Sequence, residues 1–342
     1  MNTKKSSYID KNVYLVNVRY TKMMNKTKEL YFRCLEEGKS VEYFRSEVSK
    51  IWDNVDHRFM QKQIEKLRKM VNESNVDQAI NLGRFDKEYL ETLLWVMDSE
   101  YFKLTPESEF IKFEQRYKNI VVTNYDVARN YINESNKEYY LQRKIKNYDN
   151  EMSKIITYFS KDGLPLRQVM LSTYLSMIHN VDLTRSAWNQ TMSDSEKLGT
   201  EMFIIPYHPF SCLKCYEWQN RPLSKEMVEN IIGVKAVEQQ GNILHPNCKC
   251  TLDIYWSPLQ ISRETVYEGI VEAQYKIRQK VNSLTLQRSR LRTDYKIYKM
   301  LGDEGKADEV RTKINKINKS IREEVDKLPT NSLKKQVKAI NR

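Results

Sequence analysis

Four of the five cysteines fall within 39 residues, and this clustering restricts the fold more than any other feature of the sequence. Cys212 and Cys215 form a C-x-x-C pair, and Cys248 and Cys250 form a C-x-C pair after 32 intervening residues. A tight C-x-x-C turn supplies two thiolates for one ion, and a second cysteine-rich turn completes the tetrahedral shell that zinc requires. The spacing therefore predicts a structural zinc site.

The second cysteine pair lies beside an alternating segment. If residues 249–256 form a strand, Leu252, Ile254 and Trp256 occupy one face. By the same period of two, Cys248 and Cys250 share a face. Both thiols are then able to reach one ion.

Two histidines extend the set of possible ligands. His208 precedes the first pair, and His245 lies in a Pro-containing turn three positions before Cys248. Six side chains therefore compete for about four places. The predicted ligands are Cys212, Cys215 and Cys248, with Cys250 or His245 as the fourth.

Other roles for the cysteines fit the sequence less well. Cysteines are often plain buried hydrophobic residues, but four in so short a segment are better explained as ligands. Disulfides are not expected, because the chain shows no signal peptide and a reducing cytosol keeps such pairs as thiols or metal ligands.

The histidines of the sequence do not match two known motifs of zinc enzymes. There is no H-E-x-x-H, and no histidine is followed two residues later by glutamate, as the zinc deaminase pattern requires. Cys215 and His245 can be drawn as a hydrolase pair, but the paired spacing favours metal ligation. We therefore do not expect an enzyme.

The composition favours helices. Only nine glycines and eight prolines interrupt 342 residues, and 30% of residues are charged. The segment from Gly163 to Pro165 is the clearest domain boundary. We predict a mainly α fold with a small α+β cysteine-rich core, zinc-bound, and a C-terminal antiparallel helical hairpin. The predicted domains are an N-terminal helical domain at 1–163, the core at 164–260 and the hairpin at 261–342.

Local signals predict the individual elements. We expect the first dozen residues to be loose and Ser40 to cap a helix that reaches about Phe59. Thr105 and Ser224 are the predicted caps of two later helices. The other predicted elements are helices at 86–102, 166–178, 183–192 and 224–232 and strands at 201–207 and 249–256.

Positive charge is concentrated near the C-terminus. The net charge is +12, and residues 261–342 carry 20 Lys/Arg against 11 Asp/Glu. Such an excess suits the nucleic-acid backbone, because binding releases counterions from the phosphates. A solvated helical face is the alternative, and both interpretations stay open. The candidate nucleic-acid contacts are Lys276, Arg278, Lys280, Arg288, Arg290 and Arg292.

The cysteine region also resembles a known protein core. The residues that carry the resemblance are Arg185-Ser-Ala-Trp188, Tyr207-His-Pro, CLKCYEWQ at 212–219 and HPNCKCTL at 245–252. Together they are similar to the core of the phage minor capsid protein 2 family and of the Mu-type head morphogenesis proteins. This sequence has Asn220 where glycine is frequent and Lys249 where arginine is usual.

The resemblance implies a structural protein of the phage head, made in the host bacterial cytoplasm and retained in the virion at or near the portal vertex. The implied partners are the portal protein, the major capsid or scaffolding protein and packaged double-stranded DNA. No membrane partner is expected, because no run of 18 apolar residues is present.

Two other classes of function fit the sequence less well. A zinc-containing DNA-processing enzyme or toxin-like nuclease is the alternative, although the four histidines are widely spread and form no His-Asn-His constellation. A cytosolic zinc-containing regulator would need a groove-reading helix beside the metal, and none is evident.

Overall fold

The computed structural model describes residues 2–53, 55–82, 104–153, 156–159, 165–208, 210–211, 213–232, 248, 250–257 and 268–340. Its long helices are α1 (Asn2–Glu36), α2 (Val41–Trp52), α3 (Arg58–Asn81), α4 (Glu107–Tyr131), α5 (Lys137–Ser153), α6 (Leu171–Lys197), α9 (Glu268–Met300), α10 (Glu304–Asp326) and α11 (Asn331–Ile340). Two short helices are α7 (Leu213–Tyr216) and α8 (Lys225–Ile232). Within these ranges no helix combines the length and hydropathy that crossing a bilayer requires.

The strands are short and few. β1 (Ile156–Phe159) pairs antiparallel with β2 (Pro165–Val169). β3 (Met202–Ile204) is the centre of a second antiparallel sheet, between β4 (Pro222–Ser224) and β5 (Asp253–Ile254). The prediction of a mainly α fold with a small α+β cysteine-rich core is confirmed.

Two of the helix caps were predicted correctly. The Ser40 hydroxyl accepts a hydrogen bond from the backbone N–H of Tyr43 at 3.1 Å, and Ser224 does the same for Met227 at 3.2 Å. Each bond satisfies one backbone donor that the first turn leaves without an intrahelical partner. α2 nevertheless ends at Trp52 rather than near Phe59.

Other local predictions were wrong. The first dozen residues are helical rather than loose. Residues 166–169, predicted as the start of a helix, belong to strand β2, and the predicted helices at 166–178 and 183–192 are replaced by the single helix α6. Thr105 does not cap α4, because its backbone N–H and hydroxyl both donate to Asp182. The predicted helix at 86–102 lies outside the described residues.

The chain divides into two compact units. Unit 1 comprises Met1–Tyr14, His57–Thr105 and Met177–Arg278, and unit 2 comprises Leu15–Asp56, Pro106–Ser176 and Gln279–Arg342. These units do not correspond to the three consecutive domains predicted at 1–163, 164–260 and 261–342. Three long helices (α1, α6 and α9) each contribute residues to both units.

Unit 1 is held together by residues from distant parts of the chain. Lys5 forms a buried ion pair with Asp253 of β5 at 2.8 Å, across 248 positions of sequence. Arg278 and Asp10 form another at 2.6 Å, with side chains 4% and 10% exposed. Because desolvated charges are costly without a partner, these pairs fix which segments must meet.

The part of α6 in unit 1 buries polar side chains. His179 Nε2 donates to Oε1 of Gln63 at 2.7 Å, and its Nδ1 has no hydrogen-bond partner among the residues that the structure describes. Asp182 accepts two hydrogen bonds from Thr105 at 2.9 and 3.0 Å. Burial lowers the pKa of His179 to about 3 and raises that of Asp182 to about 6, because it disfavours the charged form of each.

Unit 2 has an aromatic core and a buried lysine. The rings of Phe44 and Tyr125 stack at 4.1 Å, and Tyr31 meets both edge-on. Lys28 is 1% exposed and pairs with Asp149 at 3.0 Å and Asp294 at 2.7 Å.

Most of the predicted C-terminal hairpin, from Gln279 to Arg342, belongs to unit 2. Its turn contains Gly302 at φ 74°, a left-handed conformation that glycine adopts without steric cost. The Arg288 guanidinium on α9 donates to Asn318 on α10 at 3.2 Å, which shows the antiparallel pairing of the two helices. Asp294 of α9 forms an ion pair with Lys28 of α1, so the hairpin packs against its own chain.

Candidate metal centre

Three of the predicted metal ligands come together in unit 1. The sulfur atoms of Cys215, Cys248 and Cys250 all lie within 4.8 Å of one another, and the first two are 3.5 Å apart. All three side chains are buried. Tetrahedral ligands about 2.3 Å from a zinc ion lie about 3.8 Å from each other, so the spacing suits a shared ion. The sulfurs are too far apart for a disulfide, whose S–S bond is about 2.05 Å long.

Two short loops of the small sheet carry the thiols. Cys215 lies on α7, between β3 and β4, whereas Cys248 and Cys250 precede β5. Because β5 pairs with β3, both loops begin or end beside the same strand. Around them packs a buried cluster formed by Trp188, Met192, Phe203, Ile205, Leu223, Val228 and Leu252.

A row of donors on α6 holds the second cysteine pair. Asn180 donates to the carbonyl oxygen of Cys248 at 2.7 Å, and the Trp188 indole N–H donates to that of Cys250 at 2.9 Å. The Thr191 hydroxyl donates to the carbonyl oxygen of Leu252 at 3.0 Å. The buried carbonyls of this extended segment are thus satisfied by side chains rather than by a neighbouring strand.

The row works because helix and extended chain have nearly equal repeats. Four residues of helix rise about 6 Å, and two residues of extended chain advance about 6.6 Å. Thr184, Trp188 and Thr191, spaced four and three apart along α6, therefore stay in step with the carbonyls of residues 248, 250 and 252, and Asn180 donates to the first of these carbonyls as well. Sequence reasoning missed this row, although polar residues at helical spacing on a buried helix were its signal.

Gln219 connects the backbone of His208 to the thiol of Cys250. Its amide N–H lies 3.5 Å from the sulfur of Cys250, and its amide oxygen accepts from the backbone N–H of His208 at 3.1 Å. A donor to a ligand sulfur orients the ligand and stabilises its negative charge. Gln219 is therefore a supporting residue of the centre.

The turn after Gln219 needs an unusual backbone conformation. Asn220 has φ 55°, in the left-handed region that favours glycine. Its backbone N–H donates to the carbonyl oxygen of Ile205 at 2.8 Å. Asparagine tolerates this conformation better than other non-glycine residues, which explains why it can stand at this position.

Burial makes the negative charge of the cluster costly. The hydrogen bond with Cys215 lowers the pKa of the Cys250 thiol. The hydrogen bond with Cys248 and burial together raise it by more, so the pKa is well above its ordinary value. Such a thiol stays neutral unless a cation compensates the charge. The donor set is therefore suited to a thiolate-binding metal ion.

The remaining ligand candidates have different outcomes. Cys212 and His245 lie outside the described residues. His208 is buried, but its Nδ1 accepts from the backbone N–H of Phe210 at 3.2 Å, and it is not part of the group of three thiols. The prediction of a metal site is thus supported for Cys215, Cys248 and Cys250.

The six candidate nucleic-acid contacts lie in different environments. Arg278 is 3% exposed and paired with Asp10, so its guanidinium is not accessible to a phosphate. Lys276 is exposed but paired with Glu272 at 2.6 Å. Arg288 and Arg290 are half-buried, whereas Lys280 and Arg292 are exposed. Lys280 and Arg292 are therefore the two residues that remain candidates for contact with a phosphate.

Comparison of the chain with protein-family models, curated proteins and solved structures finds no match. The family resemblance carried by the sequence motifs therefore stays a hypothesis. The function of the chain has to be inferred from the geometry of the centre.

Proposed function

We propose that the chain is a structural protein of a tailed-phage head, a minor capsid (head morphogenesis) component at the portal vertex, whose fold is fixed by zinc. The observation that carries the proposal is the meeting of three motifs at one buried turn. Trp188 and Gln219, from two of the segments behind the resemblance, both hydrogen-bond to Cys250 in the third. Motifs that define a common core are expected to meet in space.

Zinc is the ion that suits this donor set. Thiolate sulfur is a soft donor, and closed tetrahedral sulfur sites are typical of structural zinc. Cys215, Cys248 and Cys250 would supply three ligands, with Cys212 or His245 as the fourth. The ion would supply a crosslink between loops of a sheet whose strands are only two or three residues long.

The proposed partners are the portal protein, the major capsid or scaffolding protein and packaged double-stranded DNA. The excess of positive charge at 261–342 supports contact with DNA. Lys280 and Arg292 are the candidate residues for this contact, because both are exposed.

Assembled heads provide the test. Phage particles from a host lysate, analysed by mass spectrometry, should contain the protein at a low fixed ratio to the major capsid protein. Co-expression with the portal protein should give a complex that survives purification. A protein left in the lysate while complete heads form without it would defeat the proposal.

A matched pair of variants separates the role of the metal from other effects. Cys248→Ser should reduce incorporation into heads, because the core loses its crosslink. Cys34→Ser changes a buried cysteine of unit 2 that is not in the thiol cluster and should leave incorporation unchanged. Equal incorporation of the two variants would show that metal binding is irrelevant to assembly.

A further inference from the structure

Unit 2 contains an elongated groove along α1, here called the α1 groove. Its volume is about 720 Å³, and residues of α1, α2 and α9 line it. The lining residues of α1 run from Arg19 to Arg33, a distance of about 21 Å at 1.5 Å per residue. The groove therefore offers space along its length for one face of a helix of about four turns.

The lining of the α1 groove includes apolar side chains. Met23, Leu30 and Ile297 are buried, Ile51 is half-buried, and Met300 is 41% exposed. Methionine side chains are flexible and adapt to partners of varied shape. An occupant with an apolar face would therefore remove hydrophobic surface from water.

Positive charge surrounds this apolar surface. The cationic lining residues are Arg19, Lys22, Lys26, Arg33, Lys50 and Lys296. Two acidic residues also line the groove, and each is already paired: Glu29 with Lys296 at 3.2 Å, and Glu47 with Lys50. The lining thus keeps an excess of four positive charges, and Lys22, Lys26 and Arg33 are exposed.

We propose that the α1 groove binds an acidic amphipathic helix of a partner protein. A helix in a groove is recognised through apolar residues at i, i+3 or i+4 and i+7, which matches a groove of this length with an apolar lining. Aspartate and glutamate beside that apolar stripe would meet the basic residues. Charge complementarity of this kind increases the association rate and fixes the orientation of the partner.

Duplex DNA fits the same charges less well. Its outer surface presents phosphates and sugars, which would neutralise the lysines but leave Ile51 and Met300 in contact with water. The proposal uses residues of unit 2 alone. It therefore stands or falls separately from the proposed role in the phage head.

The binding test uses the full-length protein and two labelled peptides of about 18 residues, because shorter helices are marginal in water. One peptide carries leucines at i, i+3, i+4 and i+7 with glutamates on its flanks. The other has the same composition, with the leucines scattered around the helix. Fluorescence anisotropy should show at least tenfold tighter binding of the striped peptide, and its affinity should fall as salt is raised.

Variants locate the binding surface. Lys22→Glu with Lys26→Glu should weaken binding of the striped peptide at least tenfold, and Met300→Glu should weaken it several-fold. Lys313→Glu with Lys316→Glu makes the same change of charge at exposed lysines that do not line the groove and should have little effect. Equal binding of the two peptides, equal effects of the two double variants, or tighter binding of a labelled DNA duplex through Lys22 and Lys26 would overturn the proposal.

Discussion

The indole nitrogen of Trp188 lies 2.9 Å from the carbonyl oxygen of Cys250, and both residues are buried. This bond ties the second cysteine pair to the middle of a long helix. It holds the backbone of a candidate ligand, Cys250, rather than its sulfur. The position of the thiol is thus set by a contact that a list of ligands would not include.

Removing this bond should loosen the metal centre. Trp188→Phe keeps an aromatic ring but leaves a buried carbonyl without a donor, which costs about 1–3 kcal/mol. The free energy of unfolding in urea should fall, and zinc should pass faster to a chelator. Trp52→Phe is the matched control, because it also loses a buried indole bond of 2.9 Å, to Thr27 in unit 2. If both variants release zinc at the wild-type rate, Trp188 does not support the centre.

Zinc content should depend on the clustered thiols. Protein purified under reducing conditions should hold about one zinc ion per chain by elemental analysis. Cys215→Ser or Cys248→Ser should lose it and several kcal/mol of stability. Cys34→Ser should retain it, because burial raises the pKa of that thiol to about 11 and it lies in unit 2. A metal-free wild-type protein that is fully folded would contradict the prediction.

His179 should make the fold sensitive to acid. The folded pKa of about 3 lies below the ordinary value of 6.5, so the unfolded chain binds a proton first as the pH falls. The stabilisation is complete above pH 6.5 and is lost progressively towards pH 3. His179→Gln removes the titrating ring and keeps an amide donor for Gln63. Its unfolding free energy, measured from pH 7 to pH 4, should decline less than that of the wild type, and parallel curves would disprove the effect.

Asp182 should act in the opposite direction. Its folded pKa of about 6 lies above the ordinary 3.8, so its stabilisation is complete below pH 3.8 and is lost as the pH rises through 6. Asp182→Asn removes the buried charge and keeps an oxygen that can accept from Thr105. The variant should be more stable than the wild type at pH 7 by about 1–3 kcal/mol, with the gain vanishing near pH 4. A loss of stability at pH 7 would mean that the charged bonds to Thr105 outweigh burial.

Asn220 offers a test of backbone conformation. Asn220→Gly should be neutral or slightly stabilising, because glycine adopts φ 55° without a steric cost. Asn220→Val should cost about 1–2 kcal/mol or more, since a β-branched side chain is strained there. In thermal unfolding, the melting temperature of the glycine variant should equal or exceed that of the wild type. The melting temperature of the valine variant should lie below it. Equal melting temperatures for Gly and Val would argue against a left-handed residue at this turn.

Features encoded by neighbouring residues were predictable from the sequence. Ser40 and Ser224 act within one helical turn, and the sulfur atoms of Cys248 and Cys250, which were predicted to reach one ion, lie within 4.8 Å of each other. The first dozen residues were mispredicted for the opposite reason. They are polar, but Lys5 and Asp10 are buried by partners more than 240 positions away, and no local pattern reveals such a partner.

Helix α6 illustrates the same limit at the site. Asn180 fell between two shorter predicted helices, at 166–178 and 183–192, whereas Thr184 and Thr191 lay inside the second one. In the fold these residues satisfy the backbone of 248–252. The sequence could indicate which side chains are candidate metal ligands, but not which distant helix holds their backbone.

The ion pair between Lys5 and Asp253 also limits how early in synthesis unit 1 can complete its fold. A ribosome adds about 5–20 residues per second, so the 248 positions between the two residues take roughly 10–50 seconds to synthesise. Throughout that interval the first helix has emerged without its carboxylate partner. Unit 1 cannot close until Asp253 has left the ribosome, so the N-terminal segment should be sensitive to protease in stalled chains that stop before residue 253 and protected in full-length ones.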